Sequence, residues 1–248
     1  MRRGAKVLGV HIDALDWGDV IYRIEDWAAR GESRSVAICN VHSVVTANRD
    51  PHFFNVLAGC DLATPDGAPI AWMLRRAGYK GQQRINGPDL MLKMCERAAS
   101  SGLKIFLYGG SETCMQTLLT RLNKQYPTLN VAGYSPPYRA LNSAEIAQDI
   151  QRINDFGSQI VFVGLGCPKQ EQWMLEHREQ LPAVTIGVGA AFDYHAGVIR
   201  RAPVWMQERG LEWLHRLLSE PKRLWRRYLV TNSYFILMAA RQIILGRI

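Results

Sequence analysis

The feature that most limits what this chain can become is a rhythm. Short, unbroken apolar runs alternate with helical patterns along residues 1–199. Residues 6–12, 35–39, 60–64, 104–108, 130–134, 159–164 and 183–188 read as strands. Continuous apolar strands need a sheet covered on both faces, and helices between them serve as crossovers for parallel neighbours. The expected architecture is therefore α/β, with a mostly parallel sheet and helices on both faces. Asp16 reads as the N-cap of a helix over 17–29 that Gly31 stops. Further helices are expected at 68–77, 87–101, 112–125, 143–154 and 169–180. After Pro203 the pattern is helical only, with one helix over 203–218 and another starting at Pro221. We divide the chain into an α/β catalytic domain, 1–199, and a helical C-terminal appendage, 200–248.

Charge follows that division. Residues 200–248 carry ten Lys or Arg and three Glu, a net of +7, out of +8 for the 248 residues. Residues 1–199 hold the other 20 basic and 19 acidic side chains, so a basic partner surface belongs to the last fifth. The five cysteines are scattered and odd in number, without a CxxC, so neither a disulfide framework nor a zinc knuckle is expected. Asp13 and Asp16 break any apolar leader, and a cytoplasmic location is the simplest reading. The six histidines show no metal-ligand spacing and no Asp-x-Asp occurs, so no metal cofactor is expected.

The strand over 60–64 ends in Pro65-Asp66-Gly67, which sets the Asp66 carboxylate where open α/β sheets bind ligands. Asp in such a turn also serves as a simple N-cap. Gly109-Gly110-Ser111, Gly164-x-Gly166 and Gly187-x-Gly189 each follow a strand. Such turns let backbone N–H groups approach a phosphate, although each alone is also an ordinary strand-to-helix turn. Three at one sheet edge favour a nucleotide or sugar-phosphate, yet neither GxGxxG nor GxxxxGK[ST] is present. A diphosphate would be held by backbone N–H groups, arginine and neutral side chains such as Gln170. His42 also suits a cap or core, Asp193 a turn, and Gln170 and Glu171 the first turn of a helix.

Taken together, the motifs match a family. Asn40-x-His42, Thr64-Pro65-Asp66-Gly67-x-Pro69, Arg84-x-x-Gly87-x-Asp89, Gly110-Ser111, Gly166-x-Pro168-x-Gln170-Glu171-x-Trp173 and Gly187-Val188-Gly189-Ala190-x-Phe192-Asp193 occur in that order. Arg201-Ala202-Pro203-x-Trp205, Gly210-Leu211-Glu212-Trp213, Arg216-Leu217 and Glu220-Pro221-x-Arg223 follow. The chain resembles the WecG/TagA/CpsF family of bacterial glycosyltransferases over almost its whole length. The resemblance implies a Rossmann-like core, a membrane-meeting appendage, and inverting, metal-independent transfer from a UDP-sugar to a polyprenyl-linked glycolipid. It implies N-acetylmannosamine, its uronic acid or glucose as the sugar. It suggests Asp66 as general base, with Arg84 and Gln170 at the reacting sugar. Asn40, His42, Gly109, Gly110 and Gly166 would surround the donor, and Asp193 with Tyr138 or Tyr134 would meet the uracil.

Two other classes compete. A Rossmann-type oxidoreductase lacks its glycine fingerprint and acidic ribose residue here. A nucleic-acid-binding protein would suit the basic tail, but that tail mixes its charges with Trp205, Trp213, Trp225, Tyr228 and Tyr234, as a lipid interface does. We therefore expect an anionic membrane surface, not nucleic acid, with Arg223, Arg226 and Arg227 near the membrane or the site. The run 234–240 is too short to span a bilayer, so a peripheral position on the inner face is expected. A homo-oligomer is compatible with all these features.

Overall fold

The computed structural model describes residues 2–246. The chain opens with β1 (Gly4–Val7), β2 (Val10–Asp13), α1 (Trp17–Ala29), β3 (Arg34–Cys39), α2 (Val41–Arg49), α3 (Pro51–Gly59), β4 (Leu62–Pro65) and α4 (Ala68–Arg76). It continues with α5 (Gly87–Ser101), β5 (Lys104–Gly109), α6 (Glu112–Gln125), β6 (Asn130–Tyr134), α7 (Ser143–Asp155), β7 (Ile160–Gly164), α8 (Lys169–Glu176) and β8 (Val184–Gly187). It closes with α9 (Ala191–Ala196), α10 (Val204–Glu208), α11 (Glu212–Ser219) and α12 (Pro221–Ile244).

β3 to β8 form one six-stranded sheet in the order β4-β3-β8-β7-β5-β6, with every pair parallel. The Rossmann-like α/β expectation holds, and its physical basis is visible along β5. Ile105 and Leu107 pack with α5 and α6 residues such as Leu90 and Leu118 on one face. Phe106 and Tyr108, pointing the other way, pack with Ile153 of α7 and Trp173 of α8. Successive side chains leave a strand on opposite faces, so a strand covered twice is apolar at every position.

Four sequence expectations change. Residues 6–12 are not one strand but the antiparallel hairpin β1–β2, because Leu8 and Gly9 both take left-handed φ, 50° and 91°, and make a tight two-residue turn. The helix expected over 169–180 ends at Glu176, and a 3-10 turn, Arg178–Gln180, follows. Asp193, expected in a turn or at the uracil, stands in a short helix, α9. Residues 203–218 are two helices, broken at Gly210. There φ is +70°, and a Cβ would lie 2.6 Å from Cβ of Ala68. The break thus presses the α10–α11 turn onto the start of α4.

The last helix is amphipathic in a specific sense. Phe235 and Ala239 are buried in the same apolar cluster as Val44 of α2 and Phe53 of α3. Tyr234 donates to Asn48 Oδ1 at 2.7 Å, and Gln242 donates to the Lys6 carbonyl at 2.6 Å. A flank of the same helix leaves Trp225, Leu229 and Ile236 exposed by 51%, 62% and 67%. No helix among the described residues is long and apolar enough to cross a membrane.

Candidate active site

The carboxyl ends of the parallel strands gather most of the expected residues. Asp66 follows β4, and its N–H donates to the Cys39 carbonyl at 2.9 Å, which locks its turn against the end of β3. Asn40, just beyond β3, caps α2: its Oδ1 accepts from the Ser43 N–H at 3.1 Å and the Ser43 hydroxyl at 3.2 Å. That leaves its amide N–H groups to face Asp66, which accepts from Asn40 and from the Gly67 N–H. Burial pushes the Asp66 carboxyl up to about 6, helped by the negative charge of Glu212, while Arg84, the Gly67 N–H and Asn40 oppose the shift.

Arg84 stands next to Asp66 but is held from the other side, by an ion pair to Glu212 at the start of α11. Glu212 also meets Arg201 at 3.4 Å, and Arg201 grips Asp89 with two hydrogen bonds of 2.5 and 2.8 Å.

Gln170 is buried, and its side chain is fully engaged by the protein. Its Oε1 accepts from the N–H groups of Gly166 and Gly189, at 3.2 and 3.0 Å, and its Nε2 donates to Glu171 at 2.8 Å. It fastens the turn after β7 to the turn after β8. Beside it, burial pushes the Glu171 carboxyl up to about 7, and its Oε2 has no hydrogen-bond partner.

His42, in the first turn of α2, faces Arg227 of α12. Burial, with that guanidinium, pushes the imidazole down to about 4. Arg227 is itself lowered, by burial and by Arg216 of α11 together with Arg223. The Nε atoms of Arg216 and Arg227 and Nδ1 of His42 are buried with no hydrogen-bond partner. Arg223 turns to Glu220 at 2.6 Å. Arg226 lies over Trp225, 5.7 Å from the ring centroid, and is exposed. Of the three C-terminal arginines singled out in the sequence, Arg227 therefore lines the mouth and Arg226 stays outside it.

On the far side lie the glycine turns. Gly109 has φ +118°, and a Cβ there would lie 2.7 Å from the Gly164 backbone, so the ends of β5 and β7 approach closely only because glycine is present. Gly110 lies beside Cys114 and Phe192, and the Cys114 thiol points to Asp193 Oδ1 at 3.7 Å. Asp193, Gly110 and Gly166 thus share the β5–β7 flank. Tyr138 is fully exposed in the loop after β6, with Lys169 Nζ 5.9 Å from its ring. Tyr134 is partly buried, and the Arg152 guanidinium covers its ring at 3.8 Å.

Sequence reasoning did not single out Glu212, Arg216 or Arg201 as site residues. Glu212 and Arg216 are four apart, and that spacing puts both on one face of α11. Reading 203–218 as one helix hid the turn that aims this face at Asp66. Among the described residues no three His, Cys, Asp or Glu side chains converge as metal ligands would. The charges gathered at the mouth are guanidinium groups interleaved with the carboxylates of Asp66, Glu212 and Asp89.

The strand ends of the parallel sheet thus present a raised carboxylate, arginines and glycine turns together. The sequence matches the Glycosyl transferase WecG/TagA/CpsF family across residues 5–247. It is 34% identical over 200 residues to the N-acetylglucosaminyldiphosphoundecaprenol N-acetyl-beta-D-mannosaminyltransferase of Bacillus subtilis (strain 168), covering 80% of this chain and 76% of the relative. It is 32% identical to the enzyme of the same name from Bacillus spizizenii (strain ATCC 23059 / NRRL B-14472 / W23), covering 77% and 76%. The chain is a glycosyltransferase and belongs to the WecG/TagA/CpsF family.

Proposed function

We propose that this enzyme transfers N-acetylmannosamine from its UDP conjugate to a sugar carried on polyprenyl diphosphate, with inversion, without a metal ion, and at the inner membrane surface. The observation that carries the reading is the buried Asp66 carboxylate at the end of β4, with Arg84 beside it and Arg216 and Arg227 brought in by the tail. The names of the two bacillary relatives supply the sugar and the class of acceptor.

The acceptor hydroxyl oxygen attacks C1 of the donor sugar. The C1–oxygen bond to the diphosphate breaks, its electron pair leaves with UDP, and the hydroxyl proton passes to Asp66. A carboxylate at about 6 is ionised at neutral pH and still basic enough to take that proton. Charge developing on the departing diphosphate meets Arg216 and Arg227 from the tail. The N–H groups of Gly110, Gly166 and Gly189, expected from the sequence to approach a phosphate, are already bonded within the protein. Gln170 acts by holding the turns after β7 and β8 together.

A cleft of about 490 Å³ opens on the β4 flank, away from the glycine turns, and is lined by Trp17, Arg75, Gln83, Arg84, Asp89 and Glu208 among others. Its volume lies in the usual range for small-ligand sites, roughly 300–1,000 Å³. An indole beside amide and charged side chains suits a pyranose, so the acceptor sugar would enter here. The exposed tryptophans and arginines of α11 and α12 suit an anionic interface.

A panel of UDP-sugars, including UDP-N-acetylmannosamine, its uronic acid and UDP-glucose, offered with a polyprenyl-diphosphate-linked N-acetylglucosamine in excess EDTA, tests the reading. Transfer from UDP-N-acetylmannosamine in EDTA is expected. Activity lost in EDTA and restored by Mg²⁺ or Mn²⁺, or transfer only from another donor, overturns the corresponding part.

A further inference from the structure

The charged groups around Asp66 form a chain of alternating sign that crosses from the α/β core to the tail and back. Asp89, in the first turn of α5, is gripped by Arg201 through two hydrogen bonds of 2.5 and 2.8 Å. Arg201 reaches Glu212 Oε1 at 3.4 Å. The other oxygen, Oε2, takes the Arg84 guanidinium, and Arg84 neighbours Asp66. Glu212 thus spends one oxygen on each arginine. The α10–α11 turn that precedes it is seated on the core, since Gly210 closes against Ala68, two residues after Asp66.

We infer that Glu212 is a positioning residue for the transfer: by holding Arg84 from the tail side, it keeps the guanidinium from pairing with Asp66 and so makes a competent base depend on α11 being docked. The inference rests on Asp66 as the base. Asp66 is faced by Arg84, by Glu212 of α11, by Tyr194 of α9, by the Asn40 amide and by the Gly67 N–H. Arg216, on the same helix as Glu212, lies over the Tyr194 ring at 5.9 Å. Two of the charges act on Asp66 in opposite senses. Glu212 makes the carboxylate harder to ionise and more basic, and Arg84 does the reverse. With α11 lifted away, Glu212 would leave and Arg84 would be free to close on Asp66. A carboxylate paired to a guanidinium is a weak base. The undocked enzyme would then hold a donor without activating water or an alcohol against it.

The test uses the full-length protein with Glu212→Gln and Glu212→Asp. In Glu212→Gln the ¹³C carboxyl titration of Asp66, followed without substrate, is expected to move down by about one unit. The acid limb of the kcat/KM profile should move with it. Turnover should fall by about ten- to a hundred-fold, while the affinity for UDP stays within about threefold, because Glu212 faces the base and not the nucleotide flank. Glu212→Asp keeps the charge and should recover part of both effects. A thermal melt run alongside reports on folding. A loss of turnover with an unmoved Asp66 titration would leave Glu212 only a structural role and overturn the inference, as would unchanged turnover. If Asp66→Asn proves active, the base assignment fails, and the titration still decides whether Glu212 sets the charge at Asp66.

Discussion

Arg227, on the last helix, faces His42, in the turn beyond β3, and its guanidinium helps to hold the imidazole in its uncharged form. His42 is pushed to about 4, first by burial and then by that guanidinium, so the imidazole is neutral at physiological pH. Arg227 is lowered by burial and by Arg216. The Nε atoms of Arg216 and Arg227 make no hydrogen bond, and the Glu220 carboxylate lies beside this like-charged cluster, 3.9 Å from Arg216, so a diphosphate would add the hydrogen bonds these arginines lack.

Replacing Arg227 or Arg216 with alanine is therefore expected to lower kcat/KM by about 10²–10³-fold, the usual effect of removing one preorganised donor to a developing anion. Arg226→Ala, whose side chain lies over Trp225 on the exposed face, should change kcat/KM by less than about threefold. Steady-state kinetics in detergent with a lipid-linked acceptor separates the two outcomes. Equal effects from all three would disprove the inward placement of Arg227 and Arg216.

The Asp66 carboxyl, held at about 6 by burial, gives the pH dependence its sign. Only the ionised form accepts a proton, so kcat/KM is expected to rise with pH through about 6 and flatten above it. Below that limb it should fall about tenfold per unit. Asp66→Asn should cost about 10²–10⁴-fold and abolish the limb, with UDP affinity retained. An Asn variant that turns over normally would remove Asp66 from the chemistry.

Glu171 makes a stability prediction of the opposite kind. Burial raises it to about 7 from an ordinary glutamate value near 4.5. The folded state holds this proton more tightly than the unfolded chain. The stability this supplies is complete below about 4.5 and is lost as pH rises through about 7. In Glu171→Gln that loss should vanish, so the variant should gain stability relative to the parent across this window, by about 3 kcal/mol at most. Urea melts at pH 5 and pH 8 measure it. Identical pH dependence in both proteins would show that Glu171 is not held protonated.

The exposed face of α12 offers a test of membrane association that leaves the packing intact. Truncation after Glu220 would strip away Phe235 and Ala239, which cover the cluster containing Val44 and Phe53, and each large buried side chain lost costs about 1.5–3 kcal/mol. Trp225→Ser, Leu229→Ser and Ile236→Ser change only exposed positions. The triple variant should leave anionic vesicles in a sedimentation assay and lose transfer to vesicle-borne acceptor, with its melting temperature within a few degrees of the parent. Undiminished vesicle binding would place the membrane contact elsewhere.

Much of the fold was legible because a doubly covered strand announces itself: residues 105–108 and 160–163 are apolar at consecutive positions, and no surface strand can afford that. Asp66 was legible because Pro-Asp-Gly closes such a strand. The hairpin at Leu8-Gly9 was not, since its first turn residue is a leucine in a conformation leucine rarely takes. The break at Gly210 depends on Ala68, far away in sequence. Glu212 and Arg201 gain meaning only through Arg84 and Asp89, 128 and 112 positions away, and no local pattern records such a pairing. Gln170 was legible as a polar residue of the site, but its bonds to Gly166 and Gly189 depend on how two turns meet in space.

The position of β8 sets the order in which the molecule can be assembled. It is the last strand made, yet it lies in the middle of the sheet, between β3 and β7. Until residues 184–187 have emerged during synthesis, β3–β4 and β5–β6–β7 are two separate half-sheets, each with an apolar strand whose backbone edge is unpaired. Such edges invite pairing with other chains, and joining them requires contacts across most of the sequence, which are slow to form. The late central strand therefore leaves the nascent chain with open sheet edges on both halves, and it delays the site at the strand ends until the two halves are joined.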